Sequence, residues 1–165
     1  MSSELHIIQD RTCGECTMCC KLLTIRELDK PAGEWCKSAH PGGGCGIYAT
    51  RPQVCREFEC MWLQEDSMPE ELRPDKSHVI LWVNETGEIL FVTVDPLYPD
   101  AYKVGEMKRC LDNILLETPN PKVGVIVGNN KFPLFPEYGL NHIEGDTWQI
   151  QYENPRGNDE HILPS

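Results

Sequence analysis

The sequence predicts an α+β protein in which a cysteine-rich N-terminal module, residues 1–62, packs with a β-β-α-β half, residues 78–153. Eight of the nine cysteines fall in the first of these segments. In the second, the apolar residues form strand-like runs around one helical pattern. Residues 63–77 are rich in charge and hold two prolines, so we expect a linker or surface loop. Residues 154–165 have no core pattern and are expected to be a loosely held tail.

The abundant cysteines raise disulfides as the first interpretation, but three observations oppose it. The opening stretch MSSELHIIQD has neither the basic region nor the apolar run of a signal peptide. Nine is an odd number, and the adjacent Cys19 and Cys20 cannot readily pair. A chain of 165 residues with 40% apolar content is also long enough to bury a core without disulfides. We therefore expect a reduced, soluble, cytoplasmic protein without a membrane segment.

Metal ligation is the second interpretation, and the stretch CGECTMCC favours it. Cys13, Cys16 and Cys19 recur every third residue, so a turning backbone can bring their sulfurs onto one cation. The module is therefore predicted to bind metal through eight thiolates: Cys13, Cys16, Cys19, Cys20, Cys36, Cys45, Cys55 and Cys60.

Eight thiolates can be arranged in several ways. Two four-thiolate sites need eight ligands, but a dinuclear site, or one site with additional structural thiols, would use the same residues differently. The side chain of Cys20 points away from that of Cys19. We expect Cys20 to serve a second site with some of the later cysteines, Cys36, Cys45, Cys55 and Cys60.

The residues around the later cysteines resemble a metal shell. The stretch HPGGGCGIY surrounds Cys45 with four glycines, which permit close backbone approach to a sulfur. Arg51 and Arg56 can donate charge-assisted hydrogen bonds to thiolates, or to Glu57 and Glu59.

A helix is predicted to begin at Pro52 and to carry Cys55, Phe58 and Trp62. Cys60 lies five residues after Cys55, so on an unbroken helix the two thiols would point in different directions. The helix must therefore end or bend near Cys60, or the two cysteines must serve different sites.

The cysteines follow one another in an ordered series: CGECTMCC, then Cys36, then CGIYATRPQVCREFEC. This series resembles the CxxCxxCC (YkgJ-like) cysteine-cluster family of zinc- or iron-chelating proteins. The resemblance covers about residues 13–62 and includes the residues Y..RP..CR.FEC between the cysteines. It implies bound zinc or iron. A related cluster in the flagellin lysine methylases implies an iron-sulfur centre and methyl transfer, but this chain has no separate cofactor domain that we can identify.

The second half has a clear order of elements. HVILWVNETGEILFVTVDP contains two β-rich runs around a turn at Gly87, which predicts a hairpin. Residues 99–117 then predict a helix, and VGVIVGNN and TWQIQYE predict later strands. The apolar residues of the predicted helix recur at helical spacing: Val104, Met107, Leu111, Ile114 and Leu115.

Two residues near these patterns are not predicted ligands. Cys110 lies within the predicted helix, far along the chain from the other cysteines, and is expected to be a buried or half-buried thiol. His40 could replace a cysteine at a metal, but beside Pro41 and three glycines it is expected to be a loop residue.

The charge distribution disfavours two classes of partner. The formal net charge is −11, and most of the excess acid lies after residue 60. No basic stripe is present that could neutralise phosphates, so neither nucleic acid nor an anionic membrane is an expected partner.

Three functional hypotheses remain. The first is a metal-binding protein that holds zinc or iron, or an iron-sulfur cluster, in a structural or metal-handling role. The second is an iron-sulfur enzyme of redox or methyl-transfer chemistry, and the third is a protein-interaction module shaped by metal. Spacing alone does not separate zinc from iron, because closed four-cysteine sites suit both. The sequence identifies neither a substrate nor a redox partner.

Overall fold

The computed structural model describes residues 11–119, 122–128 and 130–134. This part of the chain mixes helices and strands, as an α+β protein does. The cysteine-rich half holds short elements: α1 (Met18–Leu22), β1 (Ala39–His40), β2 (Gly44–Cys45), α2 (Gln53–Glu57) and α3 (Met61–Gln64). After them come α4 (Pro74–Ser77), β3 (Val79–Val83), β4 (Ile89–Val94), α5 (Gly105–Glu117), β5 (Lys122–Val127) and β6 (Asn130–Leu134).

A four-stranded sheet in the order β3-β4-β5-β6 forms the second half. β3 and β4 are the predicted antiparallel hairpin, and Gly87 adopts φ +74° in its turn. β4 and β5 are parallel, which requires a crossover connection, and α5 supplies it. The predicted order β-β-α-β is therefore confirmed. β6 adds an antiparallel strand at the edge that the sequence pattern did not predict.

The helix of this half is shorter than the predicted residues 99–117. A 3-10 turn at Ala101–Lys103 precedes it, and α5 begins only at Gly105, whose φ is +58°. Val104, expected on the apolar face, is 61% exposed because it lies before the first helical turn. The buried face of α5 consists of Met107, Leu111 and Leu115, at the predicted helical spacing.

The predicted helix after Pro52 is divided in two. α2 ends at Glu57, Phe58 is extended, and α3 begins after Cys60, its N-cap residue. The first helix therefore ends between Cys55 and Cys60, which is one of the alternatives that their five-residue spacing left open.

Residues 63–77, predicted as a linker or surface loop, have local structure and core contacts. A 3-10 turn at Glu70–Leu72 is followed by α4. Leu63, Met68 and Leu72 are buried. Apolar residues spaced irregularly among charges give little periodic signal, so the sequence did not reveal this packing.

One hydrophobic core joins the two halves. Met18 and Leu22 of α1 and Trp62 of α3 belong to the same buried cluster as the strands and α5. At the edge of this core, the ring of Phe58 meets Trp82 of β3 edge-on, with centroids 6.1 Å apart. The cysteine-rich half is thus held against the sheet by apolar packing.

Arg11 ties the start of the described chain to the turn after α3. Its guanidinium donates hydrogen bonds to the carbonyl oxygens of Trp62, Glu65 and Met68 and lies 4.5 Å from the Trp62 ring centroid. The loop that carries Cys13 is therefore anchored beside α3.

Other predictions fall outside the described residues. These are the strand predicted for TWQIQYE, residues 147–153, and the tail, residues 154–165. Within the described ranges, no helix has the length and apolar character needed to cross a membrane.

Candidate metal centre

A tight turn followed by a short helix presents the first four cysteines. The Cys16 amide donates a hydrogen bond of 2.7 Å to the Cys13 carbonyl, and Gly14 between them adopts φ +48°. α1 then begins at Met18, so Cys19 and Cys20 lie side by side on its first turn. Cys13, Cys16 and Cys19 are half-buried and pack against the hydrophobic core.

Cys60 lies with this triple, and the four thiols form what we call the inner group: Cys13, Cys16, Cys19 and Cys60. Burial raises the pKa of Cys60, and the nearby Cys13 raises it further. Burial likewise raises the pKa of Cys16 to about 11, with a smaller contribution from Cys60. A hydrogen bond to Cys20 and burial raise the pKa of Cys19, and both Cys13 and Cys16 add to the shift.

The other four cysteines form the outer group: Cys20, Cys36, Cys45 and Cys55. The Cys36 amide donates a 2.9 Å hydrogen bond to the Cys20 carbonyl, which holds this loop on α1. Cys45 lies on β2, and Cys55 lies on α2. Burial raises the pKa of Cys55, and Cys20, Cys36 and Cys45 each contribute to the shift. These thiols are therefore electrostatic neighbours although they come from four separate segments.

Adjacent Cys19 and Cys20 connect the two groups, and because their side chains are hydrogen-bonded, the expectation that they point apart is wrong. Cys19 donates a hydrogen bond to Cys20, which is the main reason that the pKa of Cys20 falls to about 7. The positive charges of Lys30 and Arg51 lower it further, against the effect of burial. Cys20 is therefore the thiol with the greatest thiolate fraction among those with a resolved shift.

Lys30 supplies a buried positive charge that sequence reasoning missed. Its ammonium donates hydrogen bonds to the carbonyl oxygens of Lys21 and Leu23, at the C-terminal end of α1. Burial lowers the pKa of Lys30, whereas Cys20 and Cys36 act to raise it. No local pattern marks a lysine as buried, because only the folded backbone supplies the carbonyl partners.

Glycines allow the cysteine-bearing segments to approach closely. A Cβ atom on Gly44 would lie 2.8 Å from the Gly14 carbonyl oxygen, and Gly44 itself has φ +88°. Gly44 precedes Cys45, and Gly14 follows Cys13. The hairpin of β1 and β2 therefore rests directly on the loop of the inner group, and the close approach is to a backbone carbonyl.

The arginines predicted to face the thiolates have other hydrogen-bond partners. Arg51 donates to the Tyr48 carbonyl at 3.1 Å and stacks over the Tyr48 ring. Arg56 donates to the Arg51 carbonyl at 2.9 Å, and Glu57 accepts from Gln53. The charge of Arg51 still acts at longer range, because it opposes the effect of burial on the pKa of Cys13.

Cys110 lies on α5, whereas His40 lies in the hairpin that carries Cys45. Cys110 is half-buried on α5, and its raised pKa has burial as its only cause. His40 lies on β1, where its imidazole Nε2 would be 2.8 Å from a Cβ on Gly46. Its ring therefore rests on the backbone of Gly46.

Cysteine sulfur fits zinc and iron as a ligand type, and each group supplies the four thiolates of a structural site. Within residues 11–119, 122–128 and 130–134, no three cysteine, histidine, aspartate or glutamate side chains stand in an arrangement that would hold a metal ion. The cysteines of each group therefore suit a metal in ligand type and in lying near one another. Their sulfurs would have to move closer together to coordinate an ion.

No family model, curated protein or solved structure matches the chain. The resemblance to the CxxCxxCC family thus depends on the cysteine motif and the residues between its cysteines, and it stays a prediction.

Proposed function

We propose that this protein binds zinc or iron, as ions or as an iron-sulfur cluster, through two groups of four cysteine thiolates. One observation carries the proposal. The eight cysteines of the motif come together in one part of the fold, and their thiols act on one another electrostatically both within the inner and outer groups and between them. Partly buried thiols that raise one another's pKa gain from a shared cation, which removes both the repulsion and the protons.

The surrounding charges also support metal binding. Four thiolates on a divalent ion leave an excess negative charge, which nearby cations stabilise. The positive charges of Lys30 and Arg51 both lower the pKa of Cys20, and Arg51 also acts on Cys13. This pattern supports the metal-chelating role that the family resemblance implies.

Different residues of the chain contribute to metal binding in different ways. Cys20, with a pKa of about 7, holds the most readily available thiolate among the cysteines with a resolved shift and is expected to bind an incoming ion early. Thiols with a raised pKa, such as Cys16, Cys55 and Cys60, must release protons as they bind, so affinity should rise with pH. Gly44 and Gly14 keep the two cysteine-bearing loops close enough for both groups to form. Zinc would add structural stability, and an iron-sulfur cluster would add electron transfer.

The test is metal and sulfide analysis of protein purified without oxygen, together with its absorption spectrum. We expect two equivalents of zinc, or iron with inorganic sulfide and a brown colour from thiolate-to-iron charge transfer. Serine at Cys16 should lower the bound metal because a soft thiolate is replaced by a poor donor. Serine at Cys110 is the matched control and should leave it unchanged. Full metal content in the Cys16→Ser protein, or equal losses in the two variants, would overturn the proposal.

A further inference from the structure

The guanidinium of Arg11 donates hydrogen bonds to four backbone carbonyls that lie 51 to 57 residues further along the chain. One nitrogen donates to Trp62 at 2.5 Å and to Glu65 at 2.7 Å. The other donates to Asp66 at 3.3 Å and to Met68 at 2.6 Å. Arginine suits such a position because its planar head presents five N–H donors in a fixed fork. The contacts hold this side chain in one place on the end of α3 and the turn after it.

These hydrogen bonds join two segments that carry cysteines of the inner group. Arg11 lies two residues before Cys13, and α3 begins directly after its N-cap residue, Cys60. α3 has four residues, so it extends only about 6 Å along its axis. The last carbonyls of a helix have no partner within the helix, and a cation at this end also meets the negative end of the helix dipole. Arg11 therefore fixes the segment of Cys13 to the short helix that starts at Cys60.

The distance along the chain between these two segments makes such a link useful for ligand binding. Ligands on distant segments lose conformational freedom when they are brought together, and that cost weakens binding if it falls on the binding step. Contacts made during folding remove the cost beforehand. The hydrogen bonds of Arg11 are contacts of this kind, because they are present in the protein without an ion.

We propose that Arg11 is a positioning residue of the inner group, which keeps the segments of Cys13 and Cys60 together before an ion binds. This inference depends on the proposed function. Arg11 is not itself a ligand, because its guanidinium stays protonated in proteins. The outer group is held by other contacts, among them the hydrogen bond from the Cys36 amide to the Cys20 carbonyl. Loss of Arg11 should therefore weaken the inner site and spare the outer one.

The experiment is an anaerobic titration of the metal-free, full-length protein with Co²⁺, whose thiolate-to-metal absorption reports binding. Cys55→Ser leaves only the inner site, and Cys13→Ser leaves only the outer site. In the Cys55→Ser protein, Arg11→Met should weaken Co²⁺ binding by about 10- to 100-fold, the range seen when groups supporting a metal site are lost. In the Cys13→Ser protein, the same substitution should leave the affinity unchanged. Arg26→Met is the control, because it removes the same charge from an exposed position and should spare both sites.

Arg11→Lys separates the hydrogen bonds from the charge. Lysine keeps the positive charge, but its compact ammonium cannot reach carbonyls spread over the end of α3 and the following turn. In the Cys55→Ser protein, Arg11→Lys should therefore bind Co²⁺ more weakly than arginine and more tightly than Arg11→Met. If Arg11→Met does not fold, the lysine variant decides alone. Affinity equal to that of arginine would overturn the positioning role.

The outcomes separate this inference from the proposed function. Failure of the wild-type protein to bind Co²⁺ would overturn both. If the wild type binds two equivalents and Arg11→Met leaves the inner site unchanged, only the role of Arg11 is overturned. Equal losses at the two sites would also overturn it, because a residue that merely stabilises the whole fold affects both sites alike. Urea unfolding of the metal-free variants measures that general contribution separately from the affinity.

Discussion

Lys21 Nζ lies 2.7 Å from Asp95 Oδ2, and the two side chains are only 11% and 3% exposed. Lys21 follows Cys20 on α1, and Asp95 directly follows β4. The other carboxylate oxygen of Asp95 accepts a 3.0 Å hydrogen bond from the Leu97 amide. The ion pair thus fixes the cysteine-bearing helix to the end of a central strand.

Substitution of Lys21 by methionine should destabilise the protein strongly. Removal of one partner from a buried ion pair leaves an uncompensated charge, which typically costs about 3 to 5 kcal/mol. Lys76→Met is the control, because Lys76 pairs with Glu70 at the surface and both side chains are about half exposed. Its loss should cost less than about 1 kcal/mol. Urea unfolding at fixed metal content measures both, and equal losses would show that the Lys21 pair is not an essential link.

Alanine at Gly44 should reduce metal binding, whereas alanine at Gly42 should not. Both glycines have positive φ, +88° and +74°, so the backbone strain of a side chain is similar. A Cβ at Gly44 would lie 2.8 Å from the Gly14 carbonyl, but a Cβ at Gly42 would meet nothing within 4 Å. Zinc content and urea unfolding of the two variants provide the measurement. If the two variants have the same zinc content and the same stability in urea, close approach of the two loops is not needed for metal binding.

Double substitutions test the membership of the two groups. Cys13→Ser and Cys60→Ser should each lose one equivalent of metal, and the Cys13/Cys60 double variant should lose no more, because both residues serve the same site. The Cys13/Cys55 double variant should lose both equivalents. Elemental analysis after removal of loosely bound metal gives the stoichiometry. Our division into inner and outer groups is incorrect if the Cys13/Cys60 double variant loses two equivalents of metal and a Cys55/Cys60 double variant loses only one.

Alkylation of the metal-free protein should depend on pH differently at Cys20 and Cys16. The thiolate is the reactive form, and the pKa values are about 7 for Cys20 and about 11 for Cys16. Raising the pH from about 7 to about 9 should therefore accelerate reaction at Cys20 by about twofold and at Cys16 by about 100-fold. Peptide mass spectrometry after brief treatment with iodoacetamide gives both rates. The same pH dependence at both thiols would contradict the difference in pKa between Cys20 and Cys16.

Most regular elements of the second half could be predicted from sequence because their signals are local. The strands β3, β4 and β5 show as β-rich runs, and α5 shows as apolar residues at helical spacing. The start of α5 was less predictable, since a 3-10 turn and Gly105 displace it from the expected position. The packing of residues 63–77 was not predictable, because it depends on which distant surfaces that segment meets.

The sequence by itself determined the number and kind of candidate ligands, and the three-residue step of Cys13, Cys16 and Cys19. Ligand type and short spacing are local properties of the chain. Only tertiary structure brings Cys60 near Cys13 and Cys16, and Cys55 near Cys20, Cys36 and Cys45. It also decided that Lys30 is buried near Cys20 and Cys36. Burial and long-range proximity arise only when the helix bends before Cys60 and the glycine loops meet, and no short stretch of sequence contains those events.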